Sequence, residues 1–318
     1  MNTKAVLYAL LAFAIFSTHD VVVKYLSVSL SAFQIVFFSS LLSFPLLTLM
    51  MVQDKTLDGL RPKYPGWTIL RSLIIPIIPT GAFYAFSVLP LAQAYALFFA
   101  APLLITLLSI PVLKERVGLH RLLAVAVGFL GVVVVLRPGA TELSWGHAAA
   151  LLAAFGNATQ SVILRKVGSA EKPVVLMLYP LLATVLVMAL ALPFTYQPLQ
   201  GSELGQLALV ALLGFFATLL VVKAYALGEA TTVAPMQYSQ IIWASAFGSL
   251  LFGEALDVAT LMGASIVIAS GVFIVMREAR GGKSENRPVL QTRSRAVSSF
   301  GANVSVFLRQ RGGRNTED

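Results

Sequence analysis

YAFSVLPLAQAYALFFAAPLLITLLSIPVLKER at residues 84–116 and KAYALGEATTVAPMQYSQIIWASAFGSLLFGEA at residues 223–255 are the stretches that decide the fold. With Glu115 laid on Glu254, an offset of 139 residues, Ala85-Phe86-Ser87 falls on Ala224-Tyr225-Ala226 without a gap. Each stretch is a turn, a long apolar run and an acidic end. A second apolar run follows each, carrying Gly131-Val132 and ending at Arg137 in the first, Gly271-Val272 and Arg277 in the second. An internal repeat of this kind settles architecture before single residues are weighed.

The repeat extends outward. LLAFAIFSTHDVVVKYL at 10–26 lies over LLAAFGNATQSVILRKV at 151–167, which sets Lys24 on Arg165, His19 on Gln160 and Asp20 on Ser161. Residues 1–139 and 140–278 thus read as two copies of one unit, and 279–318 as a basic tail rich in Gly, Ser, Asn and Arg, expected to be disordered.

The 318 residues are 58% hydrophobic and 12% charged, with a mean hydropathy of +0.83. Apolar stretches of about 20 residues, enough to cross a bilayer core, recur along the chain. They are 4–24, 31–51, 68–88, 91–113, 120–137, 145–165, 174–195, 205–226, 231–253 and 258–276. In lipid, only helices satisfy their backbone at this length. The expected fold is an all-α integral membrane protein of ten transmembrane helices. Each repeat holds five, and a second five-span unit must enter the membrane from the opposite side. The halves are then inverted about an axis in the membrane plane, an arrangement that builds a midplane site with alternating access.

Lys and Arg fall on one side of this topology. Lys55, Arg61 and Lys63 lie between spans two and three, Lys114, Arg116 and Arg121 between four and five, and Arg165, Lys166 and Lys172 between six and seven. The tail adds more. The positive-inside rule puts these loops and both termini in the cytoplasm, with the chain multi-pass in the cytoplasmic (inner) membrane. The net charge of +9 is therefore a topology signal and argues against a nucleic-acid partner. Cysteine is absent, which excludes thiolate chemistry and Cys-based metal sites. No catalytic, metal or phosphate-loop motif occurs, so neither an enzyme nor a nucleotide-driven pump is expected, and no cofactor.

LPLAQA, LLSIPVLKERVG and GFLGVVVVLRPG in the first half, with LGEATTVAPMQ, FGSLLFGEALD and GASIVIASGVFIVM in the second, resemble the EamA family of the drug/metabolite transporter superfamily. The resemblance covers all but the tail and implies a secondary transporter. FAIFSTHDVVVKYL, FQIVFFSSLLSFPLLTLMM and AFYAFSVLPLAQAYALFFAAPLLIT look like the riboflavin importers of that family, which implies riboflavin uptake. Related branches imply S-adenosylmethionine, amino acids or drug-like compounds, in either direction. A non-transporting assembly or lipid-handling protein is the reading from another class. The implied partners are a small molecule and the bilayer, as monomer or homodimer.

Asp20 is the one acid well inside an apolar segment. Lys24 follows at helical i+4 spacing, a favourable pair. With His19 these residues are either an ion pair or a proton or substrate handle. Arg71 and Lys223 are expected to snorkel to the interface, and Glu115 and Glu254 to sit at the interface as structural residues bonded to nearby backbone donors or basic side chains. The binding candidates are aromatics and amides at related positions of the two copies. The first half offers Tyr84, Tyr95, Phe98 and Phe99; the second offers Tyr225, Gln237, Tyr238, Gln240 and Trp243, with Asn157 and Gln160 on span six. A flat heteroaromatic ring with polar edges needs such stacking faces and amides. The plain alternative is that each ring fills helix packing or faces lipid. Pro102, Pro111 and Pro235 are expected to kink spans four and nine.

Overall fold

Apolar runs punctuated by proline give helices, and the computed structural model is all-helical, with no strand among the described residues. These are 3–52, 61–115, 117–139, 142–167, 171, 173–228, 230–255 and 257–280. Eight helical stretches there are long and apolar enough to cross a membrane, with Pro65–Val88 and Leu91–Leu113 each taken as one, and Ala32–Leu46 is a shorter apolar one. The expected tail falls outside the described residues from 281 onward, while its first two positions, 279 and 280, belong to the last helix.

The first elements are α1 (Thr3–Leu26), α2 (Ala32–Val52), α3 (Pro65–Ile74) and α4 (Ile77–Val88). Pro76 parts α3 from α4, its missing N–H breaking the ladder. Then come α5 (Leu91–Phe98), α6 (Ala101–Leu113) and α7 (Leu119–Leu136), with the break between α5 and α6 at Phe99-Ala100, just before Pro102. After α8 (Trp145–Val167), α9 (Pro173–Thr195) and α10 (Gly201–Leu227), the ninth expected span is broken too: a turn of helix α11 (Ala230–Val233), a 3-10 helix Ala234–Ser239 opened by Pro235, then α12 (Gln240–Phe252). Helix α13 (Val258–Arg280) completes the bundle. Pro102 and Pro235 thus do more than kink: they divide two helices. Pro111 is carried within α6.

Packing crosses the chain's midpoint. Helix α1 lies on α10, α4 and α6 lie on α8, α2 on α9, and α7 on α13. The last pair touches where neither backbone carries a side chain. A Cβ on Gly131 would meet the Gly263 carbonyl oxygen at 2.8 Å, and one on Gly263 would meet the Gly131 oxygen at 2.6 Å. Gly131→Ala is expected to part the helices and cost about 1–3 kcal/mol, as overpacking does; an unchanged unfolding midpoint in detergent would contradict this contact.

Helices α6 and α12 end alike. Lys114 (φ 56) and Gly253 (φ 64) are left-handed caps. The N–H of Glu115 donates to the Ser109 oxygen at 3.4 Å, and that of Glu254 to the Gly248 oxygen at 2.9 Å. This shared left-handed stop, in which the N–H groups of Lys114 and Gly253 return to those same two oxygens, ends each helix. It fixes where the two glutamates emerge.

Candidate functional site

The broken helices meet. Phe99, at the gap between α5 and α6, sets its ring edge-on to that of Tyr238 in the 3-10 helix, centroids 4.9 Å apart at 82°. The two positions are separated by the 139 residues of the repeat. Around Phe99 the rings continue: Tyr95 lies 6.1 Å away, Phe98 is 6.0 Å from Tyr95, and Phe86 is 5.5 Å from Phe98 and 5.8 Å from Tyr95.

Asp20 enters this cluster from α1 and is fully buried. The Tyr95 hydroxyl donates to Asp20 Oδ2, and His19 Nδ1 lies 2.8 Å from Asp20 Oδ1. Gln240, at the start of α12, donates to the Tyr95 oxygen at 3.4 Å. A carboxylate at this depth is costly unless hydrogen-bonded, and one so placed marks a functional group by default. The His19 ring packs against Phe16 and Phe83, at 6.5 and 5.9 Å.

Lys24, which its spacing set beside Asp20, directs its ammonium to Glu254 Oε1 at 2.6 Å and to the oxygens of Phe86 and Leu89 at 3.0 and 2.7 Å. Three acceptors match the three donors of an ammonium. The other oxygen of Glu254 accepts the Leu91 N–H at 2.9 Å, capping α5. Glu115 pairs with Arg165, and Lys166 donates to the Val112 oxygen at 2.8 Å. In the repeat, Arg165 is the counterpart of Lys24, and Glu115 of Glu254. One ion pair is therefore made twice, once between α1 and the residue just past α12 and once between α8 and the residue just past α6. The two glutamates were expected as structural residues bonded to backbone donors or basic side chains, and the partners they have lie on α1 and α8.

Beside the first of these pairs opens a cleft of about 380 Å³, which Leu89, Gln93, Arg137, Ser144, His147 and Asp257 help to line. Arg137 pairs with Asp257. The Ser144 N–H donates to His147 Nδ1 at 3.0 Å, and His147 Nε2 lies 3.1 Å from the Gln93 amide.

Seven of the expected residues therefore come together: His19, Asp20, Tyr95, Phe98, Phe99, Tyr238 and Gln240. Gln237 is half-buried in the same 3-10 helix. Gln160 is buried on α8, bonded to Asn157 Oδ1 at 3.4 Å and Ser161 Oγ at 3.2 Å. Tyr225 packs on a separate cluster around Ala5, Phe13 and Phe16. Tyr84 and Trp243 are 40% and 39% exposed; Trp243 stacks on Phe247 along α12. Lys223 is exposed, with its ammonium over the Tyr8 ring at 4.6 Å. Arg71 departs from the expectation: it is 1% exposed and donates to the Leu176 oxygen at 2.6 Å. Phe86, which sequence reasoning passed over, was signalled by its alignment with Tyr225.

The family model of EamA-like transporters matches residues 3–137 and 144–276. The chain belongs to this family. Among EamA relatives, an S-adenosylmethionine uptake transporter of Rickettsia prowazekii is 28% identical over 87% of this chain and 94% of its own. A riboflavin transporter of Rhizobium johnstonii is 29% identical over 86% and 91%, and the pseudopaline exporter CntI of Pseudomonas aeruginosa 28% over 85% and 95%. One solved structure, described as a crystal structure of a protein, matches with a TM-score of 0.58 at 20% identity, over 89% of this chain and all of that one; it speaks for the fold alone. With its apolar helices, membership makes the chain a multi-pass membrane transporter.

Proposed function

We propose that this transporter is a secondary carrier of the cytoplasmic membrane, with ten spans in two inverted five-helix halves (1–139 and 140–278) and both termini cytoplasmic. It moves a flat heteroaromatic metabolite by alternating access, most simply riboflavin inward. The observation that carries this reading is the meeting of two broken helices through Phe99 and Tyr238, repeat-equivalent residues. Discontinuous helices at matching places in two halves mark a midplane site. The twice-made ion pair and the family match in two segments support the halves. The rings of Tyr95, Phe98, Phe99 and Tyr238 supply stacking faces. Gln240, Gln237, Asn157 and Gln160 supply edge partners. His19 and Asp20 are the coupling group, and the cleft beside Lys24 and Glu254 is the outer vestibule.

A second reading, S-adenosylmethionine, is favoured by the buried Asp20 among aromatic rings, a setting for a sulfonium cation. Expression in a riboflavin auxotroph lacking its own uptake system, at low external riboflavin, separates the two. Growth and uptake of labelled riboflavin are expected. If the chain reaches the membrane, growth fails and labelled S-adenosylmethionine enters, the second reading replaces the first.

A further inference from the structure

Arg71 is the largest fully buried polar side chain and takes no part in the cluster around Asp20. Its local role has a backbone cause. Pro180 lies inside α9, so the carbonyl four residues earlier, Leu176, has no helical N–H to accept. Arg71 Nη1 donates to that oxygen at 2.6 Å. The rest of the guanidinium is unused: Nε and Nη2 are buried without a hydrogen-bond partner among the described residues, as is the hydroxyl of the adjacent Ser72.

Nε–H and the N–H of Nη2 form one edge of the guanidinium and point in parallel. This is the edge that takes both oxygens of a carboxylate or two of a phosphate. A cation removed from water, with two parallel donors unsatisfied, is costly as it stands, and an oxyanion relieves both deficits. We infer that the Nε–Nη2 edge of Arg71, between α3 and α9, is a bidentate oxyanion site that receives the carboxylate of the transported molecule or the phosphate of an anionic lipid. The substrate arm rests on the carrier reading above; the site itself does not. If a carboxylate is the occupant, this position selects substrates: riboflavin has no such group, whereas S-adenosylmethionine has one.

Arg71→Gln alone would strip the Leu176 carbonyl of its donor as well as the charge. Pro180→Ala returns a backbone N–H to that carbonyl, so Pro180→Ala is the reference and the double variant R71Q/P180A the test. The full chain is purified in uncharged detergent, and its unfolding midpoint followed with three probes: short-chain phosphatidylglycerol against phosphatidylcholine, S-adenosylmethionine against its decarboxylated analogue, and riboflavin as a carboxylate-free control. A ligand at ten times its Kd raises the midpoint by about 2 °C. A rise with S-adenosylmethionine but not its analogue, present in P180A and absent in R71Q/P180A, supports a substrate carboxylate. The same dependence for phosphatidylglycerol over phosphatidylcholine supports a lipid phosphate. If neither probe's rise depends on Arg71, the site is overturned. Failure of the carrier reading is separate: P180A vesicles would take up none of the substrates while an Arg71-dependent rise remained.

Discussion

Glu254→Gln is expected to open the cleft face of the protein and slow uptake about tenfold. The pair it breaks joins Lys24 to Glu254 with side chains only 14% and 15% exposed, and Glu254 also caps α5 through Leu91. Glutamine keeps the size and one acceptor and removes the charge. A loss of about 1.4 kcal/mol in closing energy moves a closed-to-open ratio by a factor of ten. The native chain has no cysteine, so one introduced at Ala92, in the cleft wall, reports exposure directly. Its labelling should quicken severalfold in Glu254→Gln and slow or stay level in Glu115→Gln, whose partner Arg165 belongs to the counterpart pair. Equal labelling in both variants would remove the assignment of one pair to each face. Exchanging the charges, Lys24→Glu with Glu254→Lys, tests whether the pair acts by charge; the three carbonyl and N–H contacts it would forfeit limit rescue to a part.

Asp20→Asn should have the larger effect, a loss of uptake of about a hundredfold, because Asp20 is fully buried and holds His19 and Tyr95 at once. Asparagine keeps the shape and removes the exchangeable proton. The telling measurement is uptake against external pH. Wild type should lose uptake when an uncoupler dissipates the proton gradient, and the residual uptake of Asp20→Asn should be indifferent to both pH and uncoupler. Tyr95→Phe, which removes one donor and leaves the ring, should retain pH dependence at a rate reduced about tenfold, the scale of one hydrogen bond to a charged group. Wild-type uptake unaffected by the uncoupler would end the proton-coupling role of Asp20.

Much of this was written in the chain. The offset of 139 residues predicted that Phe99 and Tyr238 occupy equivalent places, and the structure sets them in contact. A lone acid in an apolar run identified Asp20. What sequence did not carry was partnership at long range. Lys24 had an acid four residues away in Asp20, and no local rule would send it to Glu254, 230 positions later. Arg71 was misjudged for a related reason. Its burial depends on a carbonyl freed by Pro180, on a helix 109 residues further on. Tyr84 and Trp243 have the residue type of a stacking platform, but type does not tell which side of a helix meets the interior, and both are substantially exposed. Helix breaks were half legible: Pro102 and Pro235 were visible, while the 3-10 winding that joins α11 to α12 depends on packing against α1 and α13.

The twice-made ion pair has a thermodynamic consequence. In the carrier proposed above, each end is held by a carboxylate just past a left-handed cap meeting a cation on α1 or α8. Opening either end of that carrier would break one such pair, so the kind of bond alone favours neither side of the membrane. Microscopic reversibility then makes the sign of net flux a property of the concentrations on either side, and of whatever ion accompanies the cargo. On that reading the fold itself sets no direction of transport.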